Sequence, residues 1–385
     1  MIPLILGLST RAIAESAVRG GHSVFTLDYF GDRDQRALVK NHSLSRDYRL
    51  PFSAASLLKA SGELEFDTVL YTSNLENHPE VVGELADRAD VLGNGPGVLR
   101  RVRDWAVLRE FCRQRSIPHP PTLLPGEEKL ATSEFNWLCK PARGGGGSGI
   151  GPWDGRRLNR NFVLQACVDG LPASAAFVAD GKKGVVIGLT RQLIGHPEFG
   201  ATGYCWCGNI LPLPMENDKS RWILDGVEKM VSLLTRHFGL KGVGGIDIII
   251  SDGPDGRPRP FLVEINPRYT ASMELIEWGY GLNIYSLHID AVNGYLPEFS
   301  LTGHLDGPFF GKAIVFARNA VVIPDTGGWS QRGWRDIPYP GDEIKKGRPV
   351  CTVFAEGYTY NECLTNLLTN DANVRRETGD TKEEI

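Results

Sequence analysis

At 385 residues the chain exceeds one ordinary domain of roughly 150 residues, and two or three domains are expected. Hydrophobic residues at 42% and charged residues at 23% allow a sizeable core and exclude a disordered chain. A net charge of −4 lacks the basic excess of a general nucleic-acid binder, and no apolar run is long enough for a membrane span.

The opening segment carries Arg11 and Glu15 where a signal peptide stays apolar, so a soluble, cytoplasmic protein is expected. Seven cysteines without a CxxC spacing suggest reduced thiols. Glycine stands out at 45 residues, about 12% against a typical 7%. The glycines lie between apolar runs, where an α/β protein needs tight loops and close backbone approach to ligands.

The first apolar run, LILGL (4–8), reads as a strand, with Ser9-Thr10 placed to cap a helix up to Gly20-Gly21. SVFTLDYF (23–30) and DTVLYT (67–72) read as further strands, and Pro79 to Ala86 as the start of a helix. This alternation implies parallel strands with crossover helices, and ligands then sit beyond the carboxyl ends of the strands. Gly7, Ser9, Thr10, Arg11, Asp28, Ser73 and Asn74 become candidates on that ground, although most such positions serve as caps and turns. The first turn holds one glycine and not GxGxxG, which disfavours a dinucleotide fold.

A helix is expected from Val98 to Arg115, broken by the prolines of SIPHPP (116–121). A β-rich region begins at Phe135, and an amphipathic helix follows over 221–239, with Ile223, Val227, Met230, Val231 and Leu234 on one face. Beyond 305 comes a second β-rich unit, then a terminal helix and a polar tail from Asp371.

Two segments carry chemistry. In LCKPARGGGGSGIG (138–151), Lys140 ends a strand just before four glycines and Ser148. Such a run can turn its amides toward an anion and close over phosphates, with the lysine as a point charge. The order of lysine and glycines is not that of a Walker A loop. In GGIDIIISDGPDGRPRPFLVEINPR (244–268), Asp255-Gly256 signals a hairpin. Counting outward from that pair sets Asp247 directly opposite Glu264, and alternation adds Asn266 and Arg268 to the same face. Facing carboxylates destabilise a sheet unless something neutralises them, and Mg²⁺ is the natural candidate.

Together, Lys140 with GGGGSG and the hairpin ending in EINPR resemble the ATP-grasp superfamily, in its biotin carboxylase-like and carboxylate–amine ligase branches and a prokaryotic carboligase-like group. The resemblance implies an ATP-grasp fold of mixed α/β and α+β class. It would comprise a Rossmann-like pre-ATP-grasp domain (1–97), an ATP-grasp domain of two α+β subdomains (98–304) and a small β-rich C-terminal unit with a helix and tail (305–385). The cofactors implied are ATP and Mg²⁺ (or Mn²⁺).

On the matching positions it implies that Lys140 contacts phosphates and that Gly144, Gly145, Gly146, Gly147 and Ser148 form a mobile flap. Gln165, Ala166, Cys167 and Val168 form the hinge that faces adenine, with Asp169 near the ribose. Asp247, Glu264 and Asn266 hold the metal, and Arg268 stabilises the transferred group. The lysine that many relatives carry after the aspartate opening the helix is missing from Arg103-Asp104-Trp105, so Arg101 or Arg103 would replace its charge.

The acceptor pocket would draw on several separate segments. Ser9, Thr10, Arg11, Arg191, His196, Trp206 and Glu274 are candidates, and Glu277, Trp278 and Tyr280 share the segment of Glu274. Cys205 and Cys207 lack further ligands for a zinc set and read as packing cysteines. The expected function is an ATP-dependent carboxylate–amine ligase acting through an acyl phosphate. Amino-acid or glutamyl addition in cofactor synthesis is one form, small-molecule acids and amines are the substrates, and a homodimer is one assembly. A carboxylase activating bicarbonate and a non-enzymatic ATP-binding regulator are the alternatives.

Overall fold

A computed structural model describes residues 2–215, 217–253 and 256–381, without the side chains of 217 and 218. The N-terminal part is a parallel sheet of β1 (Leu4–Leu6), β2 (Phe25–Asp28), β3 (Lys40–Ser43), β4 (Thr68–Tyr71) and β5 (Asp90–Val91), in spatial order β3-β2-β1-β4-β5. Helices α1 (Arg11–Arg19), α2 (Arg33–Leu38), α3 (Ala54–Ser61) and α4 (Pro79–Ala86) lie between the strands in sequence. The strand order reverses between β1 and β4, which opens a crevice at their carboxyl ends. Thr10 occupies the N-cap of α1 but does not cap it; its hydroxyl donates instead to Asp28 Oδ2 at 2.8 Å. The strand β3 and helices α2 and α3 have short, weakly periodic sequences and were not evident from patterning.

The expected helix from Val98 to Arg115 is two helices, α5 (Pro96–Val102) and α6 (Trp105–Arg115). Asp104 separates them because its side chain accepts from the amides of Ala106 and Val107, the role of an N-cap. A four-stranded antiparallel sheet follows, of β6 (Thr122–Leu123), β7 (Trp137–Pro141), β8 (Gly151–Pro152) and β9 (Phe162–Ala166).

The larger sheet has seven strands. It runs through β10 (Leu171–Asp180), β11 (Gly184–Ile194), β12 (Trp206–Leu211), β13 (Lys241–Asp252), β14 (Pro258–Asn266) and β15 (Phe309–Phe316). The small antiparallel pair β16 (Val321–Val322) and β17 (Glu343–Ile344) precedes its last strand, β18 (Pro349–Gly357). The spatial order is β14-β13-β10-β11-β12-β15-β18, so the C-terminal strands extend the central sheet. Helix α7 (Asn217–Phe238) buries Ile223, Val227, Met230, Val231 and Leu234 against one face of the sheet. Helices α8 (Met273–Tyr280) and α9 (Ile284–Val292) cover the other.

Helix α10 (Tyr360–Thr378) packs on β15 and β18. Asp371, expected to begin a tail, lies inside α10, where its carboxylate takes Arg375 Nε at 2.8 Å. A buried acid paired one turn away holds the helix together where composition alone suggested a solvated end. Among the described residues no helix is long and apolar enough to cross a membrane.

Candidate functional site

The hairpin of β13 and β14 sets Asp247 opposite Glu264, as the turn signal implied. The route to that pairing differs. Near the turn, Asp252 faces Pro258 and Ile248 faces Leu262, one residue off the expected count. An irregularity beside Asp247 then adds one residue on β14 and restores the expected register. Asp255 of the expected turn centre lies outside the described residues.

Asp247 accepts from Gln192 Nε2 at 2.8 Å and from Asn266 Nδ2 at 3.0 Å. Burial, then the charge of Glu264, push its acid up to about 6. Burial acts on Glu264 in the same sense, but Arg103 and Lys140 more than offset it and hold Glu264 below the usual range. Among the described residues no cluster of three or more His, Cys, Asp or Glu is arranged for a metal, so this site consists of two acids and an amide.

Lys140, at the end of β7, is buried with its Nζ donating to Gln165 Oε1 at 2.9 Å and lying 5.3 Å from the centre of the Trp105 ring. Burial lowers its pKa, while Glu264 and Asp247 act to raise it. Gln165 also donates to Thr122 Oγ1 at 3.3 Å. Beside this group lies a shallow recess walled by Trp105, Leu108, Thr122, Gln165, Leu262 and Val263.

The hinge main chain is partly committed: the N–H of Ala166 donates to Pro121 and that of Cys167 to Asn136. Ala166 therefore has its carbonyl, and not its N–H, to offer a ligand. Val168 is half-buried and Asp169 exposed.

The glycine loop leans across to the large sheet. Gly146 accepts from the Trp206 N–H at 3.0 Å, and Gly144 accepts from Asn77 Nδ2 at 3.3 Å. Gly147, at φ +75, could not carry a side chain here, because a Cβ would fall 1.7 Å from the Tyr204 carbonyl oxygen. Gly145 has open space around it, and Ser148 is exposed.

Of the two arginines expected near the missing lysine, Arg103 reaches the facing carboxylates. Its Nη1 donates to Glu264 Oε1 at 2.9 Å, whereas Arg101 turns away to the carbonyl of His237. Arg268 pairs with Glu76 Oε1 at 2.7 Å. Glu76 and Asn77 were not anticipated: they sit in a 3-10 turn (Leu75–Asn77) after β4, and no local motif marks them.

The acceptor-pocket candidates divide. The Trp206 indole donates to Asn209 Oδ1 at 2.9 Å on the carboxylate face. Asn209 in turn donates to Thr190 at 2.8 Å. Arg191 alternates with Gln192 and so points to the opposite face, where it stacks on Tyr360 of α10 at 4.8 Å. That removes Arg191 from the site.

Arg11 and Glu274 come together but bind each other, through Arg11 Nη2 and Glu274 Oε2 at 3.1 Å. Arg11 also takes Asp336 at 2.9 Å, and Lys312 takes Glu274 at 2.6 Å. Arg11 is 2% exposed, so these charges join the N-terminal sheet to α8 and the C-terminal strands and do not line an open pocket. Thr10 and Asp28 bond to each other, and the Ser9 carbonyl accepts from Thr72 at 3.0 Å. His196 lies beyond β11 beside Glu198, and Glu277 pairs with Arg19 at 3.1 Å. Trp278 packs on Phe310 and the Tyr280 hydroxyl donates to the His304 carbonyl. Cys205 and Cys207 are free thiols, the latter buried.

Residues 105–272 match the family described as an ATP-grasp domain. An uncharacterised protein of Methanocaldococcus jannaschii, MJ0776, is 23% identical, over 94% of this chain and 91% of that protein. The biotin carboxylase domain of Hydrogenobacter thermophilus 2-oxoglutarate carboxylase, solved with MgADP, ADP and bicarbonate, superposes with a TM-score of 0.69 at 12% identity. It covers 97% of this chain and 89% of that one. The L-amino acid ligase of Bacillus licheniformis gives 0.67 at 14% identity, covering 97% and 98%. N5-carboxyaminoimidazole ribonucleotide synthetase of Thermotoga maritima gives 0.65 at 15% identity, also covering 97% and 98%. The glycine loop, the buried strand-end lysine and the facing carboxylates all lie within the segment that matches the ATP-grasp domain, and the chain as a whole shares the fold of these enzymes.

Proposed function

We propose that the protein is an ATP-dependent ligase that joins a small carboxylate to an amine through an acyl phosphate, releasing ADP and phosphate. The observation that supports this reading is the facing pair Asp247 and Glu264, with Lys140, Arg103 and Arg268 grouped about it from three separate segments. The donor set fits a hard divalent cation, because carboxylate oxygens are its preferred ligands and a cation would offset both the burial and the Glu264 repulsion that lift Asp247. Asn266 would join them through its amide oxygen, which now accepts from Arg268 at 3.3 Å. Bound Mg²⁺ (or Mn²⁺) supplies neutralisation of phosphate charge during transfer.

The remaining roles belong to the chain itself. Lys140 holds the phosphates as a point charge, and the amides of Gly144 to Ser148 close over them and exclude water. Gln165 to Val168 face the adenine, Ala166 through its carbonyl, and Asp169 stands at the ribose. Arg268 stabilises charge on the group in transfer. The acid and amine enter along the sheet face that carries Trp206. In this reading residues 1–97, 98–304 and 305–385 are the pre-ATP-grasp, ATP-grasp and C-terminal units of a cytoplasmic homodimer.

A screen of acids and amines for ADP release tests the proposal, and oxygen-18 from the acid should appear in released phosphate. Release of AMP and pyrophosphate would overturn it. Bicarbonate belongs among the acids, because the matched carboxylase domain was solved with bicarbonate bound; carboxylation is the second reading.

A further inference from the structure

The turn Leu75–Asn77 belongs to the N-terminal sheet, yet it touches three parts of the phosphate site. Glu76 and Asn77 are 1% and 2% exposed. Glu76 Oε1 meets Arg268 Nη2 at 2.7 Å, while Glu76 Oε2 and Arg268 Nε are buried without a partner. A carboxylate this deep is costly unless it holds a charge in place. The other acids whose charge bears on Arg268 are Glu264 and Asp247. Without Glu76, Arg268 would be drawn onto that pair and cancel the negative charge a cation requires.

Asn77 makes a different connection. Its Oδ1 accepts from Arg103 Nε at 2.9 Å, and Arg103 Nη1 continues to Glu264 Oε1 at 2.9 Å and to the Ile265 carbonyl at 2.8 Å. Its Nδ2 donates to the Gly144 carbonyl at 3.3 Å. The loop is thus held from the N-terminal sheet at Gly144 and from the large sheet at Gly146, where Trp206 donates.

We propose that Glu76 and Asn77 are positioning residues of the phosphate site. Glu76 holds Arg268 back from the facing carboxylates so that a divalent cation can occupy them, and Asn77 couples the glycine loop to Arg103 and Glu264. The proposal rests on the nucleotide reading above for its purpose, but both contacts are made by the chain's own residues and can be measured without nucleotide.

Two readouts without turnover test it. Hydrogen exchange at the Trp206 amide reports loop docking. It should quicken roughly two- to tenfold in Asn77→Ala, the range for losing one hydrogen bond. Asn77→Asp, which still accepts from Arg103 but cannot donate to Gly144, should show the same increase. Mn²⁺ alone, followed by electron paramagnetic resonance, reports the carboxylate pair. Glu76→Gln should weaken it about tenfold or more, with partial recovery in Glu76→Asp. Unchanged Mn²⁺ affinity in both Glu76 variants overturns the first half, and unchanged Trp206 exchange in both Asn77 variants overturns the second. Wild-type protein that binds Mn²⁺ but neither ADP nor ATP would instead refute the nucleotide reading and leave these two results to decide the positioning roles.

Discussion

Two buried ionic clusters share one face of the seven-stranded sheet, linked by a polar row from Asp247 through Ser174, Thr190 and Asn209 to Lys312. In the first, Asp247 and Glu264 face each other and the acid of Asp247 is pushed up to about 6. In the second, Arg11 and Lys312 close on Glu274 and hold it well below the ordinary carboxylate range, against the effect of burial. Asp32 lies at the edge of that cluster with one buried oxygen unpaired. Both clusters place charge inside apolar sequence, and sequence reasoning read both as sites. What separates them is neutralisation: Glu274 is enclosed by its own partners, whereas Asp247 is left in need of positive charge.

Exchanging each acid for its amide breaks this comparison most severely. Glu264→Gln should lower ATP-dependent turnover by about a thousandfold or more, the scale of losing charge stabilisation in the transition state, and shift the thermal midpoint little. Glu274→Gln should do the reverse. It leaves Lys312 buried without its acid, while Arg11 keeps Asp336, a loss of about 3 kcal/mol of stability, with nucleotide affinity in the folded fraction unchanged. Thermal melts and calorimetry on both variants check this. Loss of nucleotide binding by a folded Glu274→Gln protein would erase the distinction between the clusters.

The pH response sharpens the same contrast. Because the folded state raises the Asp247 pKa to about 6, it retains a proton there that the unfolded chain releases near pH 4. This group therefore favours the ligand-free fold below the ordinary range, and that contribution is lost as pH rises through 6. Glu264 and Glu274, held low, contribute in the opposite sense: their stabilisation is present above the ordinary carboxylate range and is lost as pH falls below it. With MgADP the dependence on Asp247 should invert, since the cation needs it ionised. Melts from pH 5 to 8, each compared with Asp247→Asn, should show stabilisation by MgADP shrinking as pH falls below about 6.

The mildest test concerns the glycine loop, which reaches the large sheet at Trp206. Gly147→Ala cannot keep the present approach to Tyr204, whereas Gly145→Ala meets open space. The first should raise the apparent KM for ATP severalfold, consistent with roughly 1 kcal/mol or more of strain at positive φ, and the second should stay near wild type. Steady-state kinetics on both variants decides it.

Legibility in the sequence followed the range of the interaction. The Asp247–Glu264 pair was readable because a hairpin is local, although a turn register one residue off and an irregularity beside Asp247 compensate each other. The break at Asp104 was present as an N-cap residue hidden in continuous helical periodicity. Arg191 was misplaced because membership of a strand was legible and the face was not. Glu76 and Asn77 carry no motif, and only tertiary packing brings the turn after β4 to Arg268, beyond β14, and to Arg103, between α5 and α6. Arg11 and Glu274 could not be told from site residues, because a satisfied buried ion pair and a waiting one use the same amino acids.

Calorimetric titration of ADP, with and without Mg²⁺, in wild type and Glu264→Gln tests the central claim most directly. If the facing carboxylates are the cation site, Mg²⁺ should strengthen ADP binding by about tenfold or more in wild type, at least one charge-assisted contact, and have little effect in the variant. Equal ADP affinity with and without Mg²⁺ in wild type, or an undiminished Mg²⁺ effect in Glu264→Gln, would contradict it.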